Sequence, residues 1–387
     1  MQARNLGRLW LGAAALLTLF VSTAVSAHAD YAPSATDVVG VGGETPQYNV
    51  DFGADGDTNG DLGYNAANNV NKLVSIDATA DSNGRAAYAQ FSTESAPKAL
   101  NPTVVLRAGT FPVQRITSTG GGYSAILADT GSIQKINFTR AASLPTAANQ
   151  TTAQNNGWGF LHVVQIGTDP LQVVAASTTN APAGLSTAEL IGIYKGTYLH
   201  WNELPGNSSG STNAILPLIP PSSSSINKTF LADLKAANGG TAITLGSNVI
   251  TVEQNDPGAV TGATSPADAI VPFSIGRLNL WNSGYFHNPA TAFPGGSALQ
   301  PGVKALTGSA PDGAAFYNDT NGLYVTFRQS DATSSSPWQP GSTKNWVQTL
   351  FSDTNGTPFF KKPAGQALVA AAGGIPGYND LGNVSAG

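Results

Sequence analysis

The chain has 387 residues, a formal net charge of −5 and only 11% charged residues. It shows no cluster of lysines and arginines, which argues against nucleic-acid binding. The absence of cysteine excludes disulfides, thiolate metal sites, cysteine nucleophiles and a lipid-anchoring cysteine. The length exceeds what one core usually holds, about 150 residues, and therefore suits two lobes.

The first 29 residues have the pattern of a secretory signal peptide. Arg4 and Arg8 precede a mostly apolar run at residues 9–21, and small residues occupy the cleavage positions before Asp30. The run is shorter than the ~20 residues that span a membrane. We therefore expect a secreted protein whose mature chain begins at Asp30, and the alternative is an uncleaved anchor.

A strand, a glycine turn and a helix start follow one another near the mature N-terminus. Residues 38–41 predict a buried strand, and Gly43 stands in the turn after it. Thr45 can cap a helix with Pro46 at its first position. Free N–H groups and the helix dipole make this a possible anion site, although an ordinary strand–helix connection would look the same. Glu44 is discordant, because an inward carboxylate would repel an anion.

A second unit of this kind contains three consecutive glycines. Residues 114–118 predict a strand, and we expect the next helix near Tyr123. Ser118 ends the predicted strand, and Gly120 lies in the glycine loop that follows it, the same strand–loop–helix arrangement as in the first unit.

A third unit contains a run of serines. Residues 215–219 predict a strand and residues 226–237 a helix, with Ser222, Ser224 and Ser225 between them. Hydroxyl groups at a helix N-terminus suit an oxyanion or a sugar. A low-complexity linker is the alternative, but the position between strand and helix argues against it.

Residues 55–61 begin like a calcium-binding loop, with oxygen-bearing side chains at alternate positions and a glycine at the sixth. The twelfth position, which supplies the bidentate carboxylate in such loops, is Ala66. A polar surface loop is therefore favoured over a calcium site, and we expect neither a metal nor a cofactor.

Residues 185–204 contain the most specific sequence motif in the chain. Ser186 and Glu189 form a capping-box pattern, Gly196 stands where the helix would end, and a tight turn at Trp201 follows. The segment resembles the L(T/S)…EL…I(Y/F)xG…xWN segment of phosphate-type periplasmic substrate-binding proteins of ABC importers. In that family it belongs to the scaffold and touches no ligand.

The resemblance continues from Val38 to about Val369, through the order and spacing of further motifs. It implies an α/β, two-lobed periplasmic-binding-protein-like fold, with mixed sheets flanked by helices and a hinge between the lobes. We expect lobe one at residues 30–168 plus 268–387 and lobe two at residues 169–267, with strands at 159–165 and 171–176 around the crossing. 

The three loops described above resemble the family's ligand loops, such as strand-G-x-G-x-T-x-P and P-x-S-G-S-G-T-R. Arg140 matches the arginine of the family's F-A-R-S-S-R form and is the strongest charge available to meet an anion. The resemblance implies these ligand-binding residues: Gly43, Thr45, Ser118, Gly120, Arg140, Ser222, Ser224 and Ser225.

Two further positions belong to the crossing between the lobes. Asp169 resembles the family's P-x-A-x-D position, and a capped turn is an equal alternative. Arg277 is either a ligand or, as we favour, an interlobe ion-pair partner.

The resemblance implies a solute-binding protein that captures an inorganic oxyanion, phosphate, for an ABC transporter permease, and we expect a monomer. In the family, an acidic residue at the position of Ala142 accepts a hydrogen bond from a protonated oxyanion. Because alanine cannot do this, we expect poorer phosphate specificity than in the family. The second hypothesis is a secreted binding or interaction protein that keeps the fold and has lost phosphate specificity.

No catalytic motif is present. His162, His200 and His287 lie far apart in the sequence, and the chain has no P-loop and no dinucleotide G-x-G-x-x-G motif. Carboxylates are few and scattered, which leaves a glycosidase pair open without any sign of one. We therefore expect no catalytic residues and no enzyme activity.

Overall fold

The computed structural model describes residues 32–57, 60–78, 103–116, 118–222, 224–282, 302–306 and 320–386. The predicted signal peptide and its cleavage site lie outside these ranges. The described residues from Pro33 onward form one compact unit.

Twelve strands and ten helices are described. The strands are β1 (Val38–Gly42), β2 (Leu73–Ser75), β3 (Thr103–Val104), β4 (Val113–Gln114), β5 (Phe138–Ala141), β6 (Leu161–Ala176), β7 (Leu216–Ile219), β8 (Ile250–Thr251), β9 (Ala269–Ser274), β10 (Val303–Ala305), β11 (Thr320–Arg328) and β12 (Ile375–Asn383). The helices are α1 (Gln47–Asp55), α2 (Thr119–Ala128), α3 (Ala147–Asn155), α4 (Thr187–Tyr194), α5 (Ser225–Ala237), α6 (Pro257–Thr261), α7 (Ile275–Asn282), α8 (Gln329–Ala332), α9 (Trp346–Leu350) and α10 (Pro363–Ala371). Short 3₁₀ turns are Tyr64–Ala67, Trp201–Glu203, Pro266–Asp268 and Phe359–Lys361. Among the described helices, none is both long and apolar enough to span a bilayer.

A 10-stranded mixed sheet, flanked by helices, organises these elements. Strand β1 is buried along its whole length and pairs in parallel with β2 on one side and β5 on the other. Strand β11 follows, antiparallel to both β5 and β6. Beyond β6 the order is β9, β7 and β8, with β7 parallel to both of its neighbours. Because every residue of β1 is buried, its sequence is a continuous run of apolar residues and glycine.

The 16-residue strand β6 connects the two halves of the sheet. Residues 161–170 pair with β11, and residues 171–175 pair with β9. The sequence predicted two separate strands around Gly167, and the structure shows one. A Cβ at Gly167 would lie 2.7 Å from the carbonyl oxygen of Ile375 in β12. This glycine therefore allows close approach of a neighbouring strand and does not mark a turn.

Buried apolar side chains form two groups that divide within β6. One group draws on residues 38–166, Leu280 and 323–372. The other draws on residues 171–306. The lobe boundaries given by the sequence, at 168/169 and 267/268, stay a prediction.

Helix α4 has the predicted capping box. The hydroxyl of Ser186 accepts the N–H of Glu189 at 3.1 Å, and the Glu189 carboxylate accepts the N–H of Ser186 at 2.7 Å. Gly196 follows the helix with φ of +74°, a conformation that favours glycine. Trp201 is completely buried, and its indole N–H donates to Asp268 at 2.9 Å.

Two helix starts differ from the sequence prediction. Helix α1 begins at Gln47 with Pro46 at the N-cap position, so Thr45 does not cap it. Helix α2 begins at Thr119 and not near Tyr123, because the hydroxyl of Ser118 accepts a backbone N–H and so caps the glycine-rich first turn.

Candidate functional site

The first loop of the site connects β1 to α1. Gly42 ends the strand with φ of +114°, which an L-residue with a side chain rarely adopts. The N–H of Gly43 donates to the carbonyl of Arg140 at 2.9 Å, which ties this loop to the end of β5. A Cβ at Gly43 would lie 2.8 Å from the hydroxyl oxygen of Thr119, so glycine is needed for the two loops to meet. The hydroxyl of Thr45 donates to the Glu44 carboxylate at 3.3 Å.

The second loop brings two hydroxyl groups to the start of α2. The oxygen of Ser118 accepts the N–H of Gly121 at 3.0 Å. The oxygen of Thr119 accepts the N–H of Ala142 at 3.1 Å. Since each oxygen serves as an acceptor, the hydroxyl hydrogen of each residue remains as a donor for a ligand.

The third loop places two hydroxyl groups, those of Ser224 and Ser225, at the start of α5. Ser224 is the N-cap, and its oxygen accepts the N–H groups of Ile226 at 3.1 Å and Asn227 at 3.4 Å. The Asn227 amide donates to the carbonyl of Pro220 at 2.7 Å and so holds the loop against the helix. Ser225 is half-buried at the first position of the helix, where backbone N–H groups have no intrahelical partner.

These loops enclose one small cleft. Its volume is about 50 Å³, roughly enough for a few water molecules or one small ion. Among the residues that the structure describes, its lining contains five hydroxyl side chains, two carboxylates and one amide, but no lysine or arginine. The lining residues are Gly43, Glu44, Thr45, Ser118, Thr119, Pro221, Ser224, Ser225, Glu253 and Gln254.

The discordant Glu44 carboxylate is completely buried and held by neighbours. Its oxygens accept the amide N–H of Gln254 at 2.6 Å and an amide N–H of Asn255. The guanidinium of Arg277 lies 3.9 Å from one carboxylate oxygen and donates to the Glu44 carbonyl at 3.0 Å. A buried carboxylate of this kind is tolerated because hydrogen bonds and an opposite charge compensate it.

Asp169 and Arg277 lie together in a buried polar network at the crossing. Asp169 accepts the N–H of Gly276 at 2.8 Å. Burial raises the pKa of Asp169 to about 6, although hydrogen bonds from Ser274 and Gly276 and the charge of Arg277 lower it. The guanidinium of Arg277 lies 4.3 Å from the centre of the Tyr48 ring. Arg277 forms an ion pair with Glu44. Both residues belong to the predicted lobe one, so the favoured interlobe role of Arg277 stays a prediction.

Five of the eight predicted ligand residues line the cleft: Gly43, Thr45, Ser118, Ser224 and Ser225. Gly120 lies in the first turn of α2 with its surface exposed, and Ser222 is exposed before α5. Neither is among the lining residues, so their role as ligands stays a prediction.

The side chain of Arg140 points to a different set of partners. It is completely buried, and its guanidinium donates to the carbonyl of Ile76 at 2.6 Å and to the hydroxyl of Ser75. Asp51 forms an ion pair with it at 3.7 Å. Burial lowers the pKa of Arg140, and burial together with Asp77 raises the pKa of Asp51. Arg140 therefore contacts the cleft region through its carbonyl, and no described contact of its side chain reaches the cleft lining.

Sequence reasoning missed four lining residues: Thr119, Pro221, Glu253 and Gln254. Thr119 directly follows Ser118, so its position at a predicted loop was an available clue. Glu253 and Gln254 follow β8, whose exposed two residues give too short a pattern to locate a loop.

No described group of three or more histidines, cysteines or carboxylates is arranged to hold a metal ion. In the loop that resembles a calcium site, Thr58 and Asn59 lie outside the described residues. The N–H of Asp61 donates to the Asp57 carboxylate at 2.8 Å across it.

Several solved structures are similar to this chain. A human phosphate-binding apolipoprotein has 14% identity and a TM-score of 0.51, over 88% of this chain and 91% of that chain. An ABC-type phosphate transport receptor from Vibrio cholerae has 14% identity and a TM-score of 0.47, over 88% and 99%. A phosphate-binding protein from Stenotrophomonas maltophilia has 15% identity and a TM-score of 0.40, over 76% and 79%. No curated protein matches the chain. At 14% identity, the likeness to the human protein shows the fold alone, a two-lobed α/β binding-protein fold.

The family comparison covers most of the same region. A family model described as a PBP superfamily domain matches residues 79–353. Because this match spans more than half of the 387 residues, the chain belongs to the periplasmic-binding-protein (PBP) superfamily.

Proposed function

We propose that this protein is a secreted solute-binding protein whose cleft captures a small tetrahedral oxyanion, with phosphate as the ligand. One observation carries the proposal. The starts of α1, α2 and α5 meet at a single cleft that five hydroxyl side chains line. Helix N-termini bind anions through their free N–H groups and their dipoles, and hydroxyls add donors.

The N–H groups and hydroxyls stabilise the negative charge of the ligand, since no lysine or arginine is among the described lining residues. Ser118, Thr119 and Ser224 each hold their oxygen against a backbone N–H, which orients the hydroxyl and leaves its hydrogen for the ligand. A site of this kind binds through oriented neutral donors, so its affinity depends on several hydroxyls acting together.

Membership of the superfamily supports the physiological role that we propose. The named neighbours include an ABC-type phosphate transport receptor, and a predicted secretory cleavage site precedes Asp30. We therefore assign the protein to ligand delivery to an ABC transporter permease, as a monomer and without catalytic activity.

A second candidate function is a secreted interaction protein that keeps the fold without phosphate specificity. Glu44 and Glu253 favour it, because two carboxylates line the same small cleft. Ala142 favours it as well, since its side chain cannot accept a hydrogen bond from a protonated oxyanion.

Calorimetric titration of the mature protein with phosphate decides between these functions. We expect saturable binding with one site, and Ser225→Ala should weaken it about tenfold, or ~1.4 kcal/mol. Ser225 is suited to this test because Ser224, and not Ser225, caps α5. The exposed Ser208 provides the matched control, and Ser208→Ala should bind like the wild type. Absence of phosphate binding in the wild type would favour the second candidate.

A further inference from the structure

Gln254 is a buried polar side chain at the cleft with one half of its amide unpaired. It is 7% exposed and belongs to the cleft lining. Its amide nitrogen donates to a Glu44 oxygen at 2.6 Å. Its amide oxygen is buried and has no hydrogen-bond partner among the described residues. Buried polar atoms without partners are uncommon, and one that belongs to the lining of a cleft is available to a ligand.

The neighbourhood of Glu44 fixes which end of the amide is unpaired. An ionised carboxylate only accepts hydrogen bonds, so the nitrogen of Gln254 must face it. Glu44 also accepts from Asn255 and Thr45 and lies beside the guanidinium of Arg277, so these neighbours present donors to its carboxylate as well. Glu44 is thus a positioning residue, and the atom of Gln254 left to a ligand is an acceptor.

We propose that the amide oxygen of Gln254 accepts a hydrogen bond from a hydroxyl of the bound oxyanion and thereby selects the protonated form, hydrogen phosphate. This inference rests on the proposed function of the cleft. The hydroxyls and N–H groups of the cleft donate to any oxyanion oxygen. The two lining carboxylates, Glu44 and Glu253, carry a charge that disfavours every anion. Gln254 is a neutral acceptor, so it adds a requirement that distinguishes ligands of equal charge and shape, a hydrogen on the ligand.

The selectivity expected from an amide is moderate. Sulfate has the same charge as hydrogen phosphate and carries no hydrogen, so it leaves the Gln254 oxygen unpaired. A neutral amide, unlike a carboxylate, adds no full charge to repel sulfate. We therefore expect a preference for hydrogen phosphate over sulfate of about tenfold.

Monofluorophosphate is the sharpest probe of this contact. It is a dianion close in size to hydrogen phosphate, with fluorine in place of the hydroxyl. Titrations with phosphate, monofluorophosphate and sulfate are compared at one mildly alkaline pH, where phosphate is the hydrogen-phosphate dianion. The wild type should bind monofluorophosphate and sulfate each about tenfold more weakly than phosphate.

Two variants assign the preference to Gln254. Gln254→Met keeps the approximate length of the side chain without an amide oxygen, and should bind the three anions with affinities within about twofold of one another. Ser225→Ala removes a donor that serves all three anions, so it should lower every affinity and keep the tenfold ratio. Thermal unfolding of each variant confirms that it is folded.

The outcomes are distinct. Equal wild-type affinities for phosphate and monofluorophosphate would overturn the role of Gln254 and leave the proposed oxyanion function intact. A tenfold preference that survives in Gln254→Met would also overturn it. If none of the three anions binds the wild type, both the inference and the proposed function fail. The wild-type comparison remains decisive if Gln254→Met does not fold.

Discussion

The carboxylate of Glu44 is compatible with an anion site because its neighbours already satisfy it. Sequence alone showed an acidic residue in a loop suited to anions and could not show its direction. The compensating partners, Gln254, Asn255 and Arg277, lie more than 200 residues further along the chain. No local sequence pattern indicates partners so far away, so the role of Glu44 could be recognised only from the structure.

The charge of Arg140 suggested from sequence that its side chain binds the ligand, and its observed contacts are different. In the sequence, Arg140 was the strongest charge available to meet an anion, and the resemblance implied that it binds the ligand. Its guanidinium instead lies with Ser75, Ile76 and Asp51. From these contacts we now expect its side chain to contribute to stability and not to affinity.

Arg140→Met tests this at the residue scale. The variant fills a similar volume but leaves Asp51 without its ion-pair partner, so the free energy of unfolding should fall by about 3 kcal/mol. Denaturant unfolding measures this loss. The double variant Asp51→Asn with Arg140→Met should recover part of it, because no unpaired charge is then left. A folded Arg140→Met protein with unchanged stability and a tenfold weaker phosphate affinity would restore Arg140 as a ligand.

Elements with local signals could be predicted, and elements that depend on distant pairing could not. The capping box and the apolar spacing of α4 lie within ten residues, and that helix was predicted with its cap. Strand β12 was not predicted, because Pro376, Gly377 and Gly382 read as turn residues. It exists through antiparallel pairing with β6, about 200 residues earlier, with two irregularities in register.

A buried histidine holds β12 to β6. The ring nitrogens of His162 contact Gln329 at 2.7 Å and the carboxylate of Asp380 in β12. Burial lowers the pKa of His162, but the hydrogen bonds to Asp380 and Gln329 raise it, and the net pKa lies above 6.5. Burial raises the pKa of Asp380, but hydrogen bonds from His162 and Ser352 lower it. The pKa of Asp380 is therefore below its ordinary value of 3.8.

This pair predicts a pH dependence of stability. The folded-state pKa of His162 exceeds the unfolded-state value, so its contribution is fully present below pH 6.5 and is lost as the pH rises through the folded-state pKa. The free energy of unfolding in urea should therefore fall across this range in the wild type, and His162→Gln should remove that fall. His200, whose side chain is 41% exposed, is the control, and His200→Gln should behave like the wild type. Equal pH profiles for wild type and His162→Gln would contradict the prediction.

At the scale of the whole molecule, the sequence predicted the α/β class and the binding-protein fold. It could do so because the order of strand, loop and helix units survives at low identity, and the family match and the sheet topology agree with it. The predicted ligand loops were partly found at the cleft, since each loop follows a strand and precedes a helix. Residues after β8 were missed because that strand has only two residues.

The central claim is that an oxyanion binds where the starts of α1, α2 and α5 meet. A crystal of the mature protein grown with arsenate, a heavier analogue of phosphate, tests this most directly, because anomalous scattering locates the arsenic. We predict one strong arsenic peak within hydrogen-bonding reach of the hydroxyls of Ser118, Thr119 and Ser225. A fully occupied arsenic site elsewhere, or no arsenic in the cleft at a concentration that saturates binding in solution, would contradict the claim.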